Sequence, residues 1–224
     1  MNLQALPEEA LKEILALTEA KKRLDLQEEA YDHFMPFAHH VYENFIEGAH
    51  HRVIAEKLEA VARGECKRLI INMPPRHSKS EFASYLMPAW FLGRNPKLKI
   101  IQATHNTELA VRFGRKVRDL IDDPAYKEIF PETNLKEDNK GAGKWGTDKG
   151  AEYFAAGVGA AITGRGADLL VIDDPHSEQD ALSETAFDHA YEWYTSGPRQ
   201  RLQPGGSIII VMTRWGKKDL TGRL

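Results

Sequence analysis

A lysine and a serine that follow a short apolar run are the residues of this chain best suited to chemistry. Lys79 and Ser80 come after the run Leu69–Met73 and a loop with two prolines, and a helical pattern follows over Glu81–Leu92. In such a strand–loop–helix arrangement, backbone N–H groups and the helix N-terminus bind an anion. A lysine and a hydroxyl at these positions bind the phosphates of a nucleotide and its Mg²⁺ ion.

The usual pattern of such a loop, G-x-x-x-x-G-K-[ST], lacks both glycines here, because Met73 and Ser78 stand in their places. A non-glycine residue with a positive φ costs about 1–2 kcal/mol. We therefore expect strain at Ser78 that does not abolish binding. The alternative is an ordinary helix N-terminus with a solvent-facing Lys79, and the choice depends on whether the rest of a nucleotide site is present.

A second apolar run ends in two aspartates. Leu169–Ile172 predicts a buried strand, and Asp173 follows at its carboxyl end, where α/β sheets place their ligand-binding groups. We expect Asp173 to hold Mg²⁺ opposite Ser80, and Asp174 to polarise the attacking water. Taken alone, the Asp-Asp pair would equally suit a helix cap or a turn.

Three further residues are candidates for contact with the transferred phosphate. Arg165 lies between two glycines just before the acidic strand, and Arg76 lies inside the loop. An arginine at the γ-phosphate can contribute about 10³–10⁵ in rate. Thr213 ends the last apolar strand, where its hydroxyl could sense the γ-phosphate. The alternatives are a structural ion pair for Arg165 and a surface charge for Arg76.

Strands and helices alternate through the region that carries these residues. The predicted order is strand 67–73, helix 79–92, strand 98–104, helix 106–122, strand 168–173, helix 183–202 and strand 207–213. This alternation predicts an α/β fold with a mainly parallel sheet and helical crossovers. Strand candidates at 144–147 and 151–156 indicate an antiparallel insertion or an edge hairpin.

The first 48 residues are predicted to form a helical segment that packs on this core. Residues 3–24 have the pattern of an amphipathic helix, and an aromatic-rich segment over 27–48 follows, with a break at Pro36. A further helix is expected at about 50–63. We therefore place a boundary after residue 48, with the α/β domain over 49–224.

Composition limits the class of protein. Hydrophobic content of 42% and a net charge of −3 are ordinary for a globular domain, and the charge provides no global attraction for nucleic acid. The single cysteine, Cys66, excludes an internal disulfide and indicates a reducing compartment. No apolar run approaches the roughly 18–20 residues of a membrane span, so we expect a cytoplasmic protein. The abrupt end after the last strand is compatible with either a shortened chain or a larger parent protein, and we expect one of the two.

Three segments together resemble the ATPase domain of the large terminase subunit of tailed bacteriophages, the motor that packages viral DNA into preformed capsids. They are MPPRHSKSE at 73–81, ITGRGADLLVIDDP at 162–175 and SIIIVMTRW at 207–215. The likeness covers roughly residues 45–224. It implies a P-loop fold of the additional-strand, catalytic-acid (ASCE) class and a hydrolase that uses ATP and Mg²⁺.

The resemblance also implies roles by position. Met73–Ser80 would be the Walker A motif, Leu169–Asp173 the Walker B motif, Asp174 the catalytic acid, and Thr213 part of the coupling motif. The implied metal ligands are Ser80 and Asp173. The family uses an arginine finger across the subunits of a ring, with Arg165 as the candidate here and Arg76 as the rival. The implied nucleotide contacts are Pro74, Pro75, Arg76, His77, Ser78, Lys79, Ser80, Glu81 and, near the upstream adenine motif, His51.

The implied partners are double-stranded DNA, the portal protein, the small terminase subunit and further copies of the chain. A pentameric ring is expected on assembly, with a monomer as the alternative in isolation, and the implied location is the host cytoplasm. The family's C-terminal nuclease has no counterpart in this sequence, so we expect no DNA cleavage by this chain. A helicase-like nucleic-acid-dependent ATPase and a catalytically silent nucleotide-binding assembly module are the alternative functions.

Overall fold

A seven-stranded sheet forms the centre of the computed structural model, which describes residues 7–224. The strands are β1 (Arg68–Asn72), β2 (Lys99–Thr104), β3 (Leu135–Lys140), β4 (Lys144–Thr147), β5 (Glu152–Gly157), β6 (Ala167–Asp173) and β7 (Leu202–Met212). Their order across the sheet is β1-β7-β6-β2-β5-β4-β3. Neighbouring strands are parallel from β1 to β5, whereas β4 is antiparallel to both β5 and β3.

The position of β7 identifies the fold class. β1 leads into the loop that carries Lys79, β6 ends in Asp173, and β7 lies between them. A strand inserted between the loop strand and the acidic strand is the additional strand of the expected P-loop class. The predicted α/β fold with a mainly parallel sheet is therefore confirmed.

Helices cover both faces of the sheet. They are α1 (Glu8–Asp32), α2 (Phe34–Val41), α3 (Ala49–Ala62), α4 (Met87–Arg94), α5 (Thr107–Ile121), α6 (Pro124–Ile129) and α7 (Glu184–Ser196). Alternate residues of β6 enter two separate cores: Leu169 and Val171 pack with α1 to α6, and Leu170 and Ile172 pack with α7. This double burial explains the continuous apolar run of β6. None of the helices described combines the length and apolarity needed to cross a membrane.

The N-terminal helices differ from the prediction. The first helix continues to Asp32 rather than ending at residue 24, and the predicted residues 3–6 lie outside the described part of the chain. The break falls at the extended residue His33, not at Pro36. Pro36 is in the first turn of α2, where its missing N–H group costs no helical hydrogen bond. The proposed boundary after residue 48 stays a prediction.

The last predicted helix was too long. α7 ends at Ser196, and Gly197 and Pro198 follow it. A short 3₁₀ turn, Pro198–Arg201, then leads into β7, which begins at Leu202 rather than at residue 207. Proline removes a backbone donor and clashes with the preceding turn, so the helix ends there.

The irregular region between α5 and β6 contains the antiparallel edge of the sheet. The candidates at 144–147 and 151–156 correspond to β4 and β5. β5 also pairs in parallel with β2, so it belongs to the main sheet. The prediction missed α6 and β3, and the sequence of β3, LKEDNK, is almost entirely polar, as suits an exposed edge strand.

An aromatic cluster joins the N-terminal helices to the helix after the lysine loop. This helix begins with a π-helical stretch, Glu81–Leu86, that continues into α4. The ring of Phe34 is fully buried, with its centroid 5.4 Å from that of Phe82 and 5.6 Å from that of Trp90. Trp90 Nε1 donates a hydrogen bond to the carbonyl oxygen of Ala30 at 3.1 Å. The helix that carries Ser80 is therefore packed directly against α1 and α2.

We expect Phe34→Ala to lower the free energy of unfolding by about 3–5 kcal/mol, because truncation of a buried aromatic residue loses transfer free energy and leaves a cavity. Urea unfolding measures the change. Leu15→Ala, at a side chain that is 61% exposed in α1, is the matched control and should stay within about 0.5 kcal/mol of the parent. Equal losses for the two variants would contradict the packing described.

Candidate functional site

The loop between β1 and the following helix has a strained backbone. Ser78 has a φ of 59° and Arg76 a φ of 64°, both in the left-handed region. Each such residue costs about 1–2 kcal/mol relative to glycine, so the strain expected at Ser78 is present and Arg76 adds to it. The loop is held at both ends: Met73 N–H donates to Met212 O at 3.1 Å, and Phe82 N–H donates to Ser78 O at 3.0 Å.

Two hydroxyls of the helix after the loop bind the carboxylate at the end of β6. Ser80 Oγ donates to Asp173 Oδ1 at 2.9 Å, and Ser84 Oγ donates to Asp173 Oδ2 at 2.7 Å. Asp173 is 1% exposed. Burial raises the pKa of its carboxyl from 3.8 to about 7, against the opposing effect of the two serine hydrogen bonds. Asp173 is thus a buried carboxyl group in direct contact with the loop helix.

Both carboxylate oxygens of Asp174 are also engaged. Lys79 Nζ lies 3.0 Å from Asp174 Oδ2, and the backbone N–H of Thr213 donates to Asp174 Oδ1 at 2.8 Å. Asp174 itself has a φ of 39°, unusual for a residue other than glycine. The structure therefore brings together four of the predicted site residues, Lys79, Ser80, Asp173 and Asp174, with Thr213 beside them.

The oxygen atoms at this point fit Mg²⁺. Mg²⁺ prefers oxygen ligands and is usually bound through one or two carboxylates, with the remaining positions taken by water and substrate phosphates. Ser80 Oγ and the Asp173 carboxylate supply such a pair, and a cation would offset the cost of ionising a buried acid. Among residues 7–224, no cluster of three or more His, Cys, Asp or Glu side chains is arranged to hold a metal. A Mg²⁺ ion here would therefore depend on phosphate oxygens as well.

A cavity of about 660 Å³ opens beside these residues. Its walls include Lys79, Asp174 and Thr213 together with His105, Asn106 and Trp215. Sequence reasoning missed the last three. The signal for His105 was its position directly after β2, because polar residues at the carboxyl ends of parallel strands meet at one edge of the sheet. The backbone N–H group of His105 donates to the backbone carbonyl oxygen of Asp174 at 3.2 Å.

The two candidate arginines occupy different places. Arg76 is exposed in the loop next to Lys79. Arg165 precedes the first residue of β6, with its guanidinium carbon 4.0 Å from the ring centroid of Phe154. β6 extends over six residue steps from Ala167 to Asp173, which is about 20 Å at about 3.3 Å per residue. The backbone of Arg165 therefore lies at the opposite end of β6 from Asp174 of the same chain, while its guanidinium group reaches Phe154, which is level with Leu170 in the middle of β6.

Two of the predicted nucleotide contacts are engaged elsewhere. His51 is 4% exposed; its Nδ1 accepts a hydrogen bond from Gly48 N–H at 2.8 Å, and its ring stacks on Phe82 with 4.9 Å between centroids. The Glu81 carboxylate is 2.7 Å from Lys116 Nζ of α5. These contacts anchor α3 and α5 to the loop helix. The roles of His51 and Glu81 in nucleotide binding stay predictions, as do those of Pro74, Pro75 and His77.

Comparison with known proteins shows a distant structural likeness. No protein-family model matches the chain, and no curated protein matches it in sequence. The chain is similar in structure to the HK97 bacteriophage large terminase, with 14% sequence identity and a TM-score of 0.49. The match covers 79% of this chain and 35% of that one, so the chain spans about a third of the length of the HK97 protein.

The pKa of Asp173 gives a prediction for pH. Because the folded-state pKa is raised to about 7, ionisation opposes folding, and the free energy of unfolding without Mg²⁺ should fall as pH rises from about 4 to about 7. Asp173→Asn should flatten this dependence relative to the parent chain. Chemical unfolding at a series of pH values measures both.

The matched control is Asp119→Asn, at a carboxylate that is 59% exposed, which should keep the slope of the parent. Mg²⁺ requires the ionised carboxylate, so its affinity should fall up to about tenfold per pH unit below about 7. An identical pH dependence in Asp173→Asn and the parent would contradict the assignment of the raised pKa.

Proposed function

We propose that the chain is the ATP-hydrolysing motor domain of a phage large terminase, which translocates double-stranded DNA into a procapsid. The observation that carries the proposal is the contact between the loop helix and the acidic strand end: Ser80 with Asp173, and Lys79 with Asp174. The two residues of each pair are about ninety positions apart in sequence and meet at the carboxyl ends of the parallel strands. The sequence resemblance of the three motifs supplies the terminase assignment.

Lys79 changes partner when the nucleotide binds. In the structure Lys79 is 5% exposed, and its ammonium group pairs with Asp174. Phosphate oxygens are stronger competitors for a lysine ammonium because they carry more charge. Transfer of Lys79 to the β- and γ-phosphates frees one oxygen of Asp174, which then accepts a hydrogen bond from the attacking water and orients it. The pair with Lys79 keeps Asp174 from being an unpaired acid before the nucleotide binds.

The other residues have supporting roles. Ser80 and Asp173 hold Mg²⁺, which when bound neutralises charge on the phosphates. Thr213 keeps its N–H group on Asp174 Oδ1, so the water-orienting oxygen is the one that Lys79 releases. The side-chain hydroxyl of Thr213, 3.3 Å from Met73 O, links the same residue to the start of the loop.

The remaining charge at the γ-phosphate requires an arginine. Because the backbone of Arg165 lies about 20 Å along β6 from its own Asp174 and its guanidinium group packs on Phe154, we assign it to the site of a neighbouring copy. Arg76 is the candidate within the same chain. A head-to-tail ring of copies, with DNA, the portal protein and the small subunit as partners in the host cytoplasm, completes the proposal.

The ATPase proposal predicts that Lys79→Ala and Asp174→Asn each reduce Mg²⁺-dependent phosphate release by on the order of 10²–10³. Lys57→Ala and Asp119→Asn replace the same residue types at exposed positions outside the site and should retain the parent rate. Release is measured at high protein concentration with double-stranded DNA present.

Parent-like rates in both site variants would contradict the catalytic assignment. Tight ATP binding by the parent without phosphate release would favour the silent nucleotide-binding module. ATP-dependent separation of DNA strands would favour a helicase-like motor.

The position of Arg165 predicts complementation between two inactive variants. Arg165→Ala keeps its own acid but offers no arginine to a neighbour, whereas Asp174→Asn offers the arginine and lacks the acid. In a random equal mixture about a quarter of the interfaces combine an intact acid with an intact arginine, so up to about a quarter of the parent rate should return.

Arg76→Ala mixed with Asp174→Asn is the comparison, since a residue that acts within its own chain cannot be supplied by a neighbour. Recovery of phosphate release in the Arg76→Ala mixture, and not in the Arg165→Ala mixture, would assign the role across subunits to Arg76 and the role within the chain to Arg165.

A further inference from the structure

A turn that follows β7 folds across the strand ends at the site. We call residues 214–222 the Asp219 turn, because the side chain of Asp219 lies at its centre and is fully buried. Asp219 Oδ2 accepts hydrogen bonds from Arg214 Nε at 2.9 Å and from the backbone N–H groups of Trp215 at 2.9 Å and Gly216 at 3.1 Å. Asp219 Oδ1 accepts one from Gly222 N–H at 2.8 Å. One carboxylate thus fixes both ends of the turn.

The first half of the turn fixes the residue that touches the catalytic acid. Thr213 directly precedes Arg214 and Trp215, both of which bind Asp219. The Thr213 N–H group donates to Asp174 Oδ1 at 2.8 Å. The direction of that N–H group is set by the backbone on either side, which is β7 before it and the Asp219 turn after it.

The second half of the turn binds the segment that follows Asp174 in the sequence. Leu220 N–H donates to His176 Nε2 at 3.0 Å, and His176 lies two residues after Asp174. His176 is 2% exposed, and its ring packs edge-on against Phe187 with 4.8 Å between centroids. Asp174 is therefore held through Thr213 on one side and through His176 on the other.

Asp174 needs such restraint because its backbone is strained. A non-glycine residue with a φ of 39° costs on the order of 1–3 kcal/mol and persists only where the surroundings fix it. We propose that Asp219 is a positioning residue for ATP hydrolysis: it holds Asp174 in the strained conformation that aims its carboxylate at the attacking water. This inference rests on the function proposed above.

Another contact of the turn offers a different route of action. Thr221 Oγ1 donates to Asn72 Oδ1 at 3.1 Å, at the end of β1 just before the loop. If Asp219 acted through the loop, its loss would weaken nucleotide binding and raise the KM for ATP. If it acts through Asp174, its loss lowers kcat and leaves the KM for ATP unchanged, because Lys79 and the loop amides still hold the phosphates.

The test compares steady-state ATP hydrolysis by Asp219→Asn with that of the parent. Asparagine keeps the shape of the side chain, but its amide NH₂ group is a donor and cannot accept a hydrogen bond. At least one of the backbone N–H groups that Asp219 binds therefore loses its acceptor. We expect kcat to fall about 10- to 100-fold, with the KM for ATP within about twofold of the parent.

A second variant covers the case in which Asp219→Asn fails to fold. His176→Phe keeps a ring against Phe187 but removes the acceptor for Leu220 N–H. It should give the same signature, a lower kcat at unchanged KM. The matched control is Asp123→Asn, which removes another aspartate that binds a backbone N–H group, at the start of α6, and should leave kcat unchanged.

The outcomes separate the two proposals. A parent chain that releases no phosphate refutes the proposed function. A parent chain that is active, with unchanged kcat in folded Asp219→Asn or in His176→Phe, overturns the positioning role. A raised KM with unchanged kcat also overturns it, because that result assigns the turn to the loop instead of to Asp174.

Discussion

The hydrogen bonds that Asp173 accepts from Ser80 and Ser84 connect the parts of this fold on which the site depends. An ionisable group at the centre of a sheet is costly unless hydrogen bonds or a counter-charge stabilise it. Here two hydroxyls one helical turn apart reach both carboxyl oxygens and offset part of the cost of burying the group. They orient the loop helix on β6, while Phe82 of the same helix packs on the aromatic cluster of α2. The helix is fixed from both sides before any ligand binds.

Backbone strain is concentrated at the same site, at the carboxyl ends of the parallel strands. Arg76, Ser78 and Asp174 all have positive φ values without being glycine. Strain of this kind is retained where neighbouring structure determines the conformation. For the loop, the neighbours are β7 and the helix after Ser80; for Asp174, they are Thr213, His105 and the Asp219 turn. The strained conformation of this loop is thus held by hydrogen bonds at both of its ends.

The sequence was most informative where burial imposes a strong pattern. The apolar runs of β6 and β7 predicted central strands, and the order of strands and helices predicted the parallel sheet, because strands covered on both faces must be apolar throughout. The polar edge strand β3 lacked that pattern and was missed. Helix ends were misplaced at Asp32 and Ser196, where tertiary packing and the Gly197-Pro198 pair determined the boundary.

The site was predictable in its centre and not at its periphery. Lys79, Ser80, Asp173 and Asp174 stand at strand and helix ends that the pattern located, so their meeting followed from topology. Ser84 and Asp219 were not predictable. Ser84 is identified by its contact with Asp173, and Asp219 by the backbone N–H groups that it binds, and both contacts depend on how the chain packs. Arg165 could be named from its glycine-flanked position, but no pattern in the sequence showed that its backbone lies at the opposite end of β6 from its own acid.

The proposed nucleotide site is tested most directly by a crystal structure of the chain with Mg²⁺ and a non-hydrolysable ATP analogue. We expect the metal beside Ser80 Oγ and the Asp173 carboxylate, the phosphates against the backbone of the loop, and Lys79 Nζ moved from Asp174 to the phosphates. Nucleotide bound elsewhere, or Lys79 still paired with Asp174 in the presence of bound nucleotide, would contradict it.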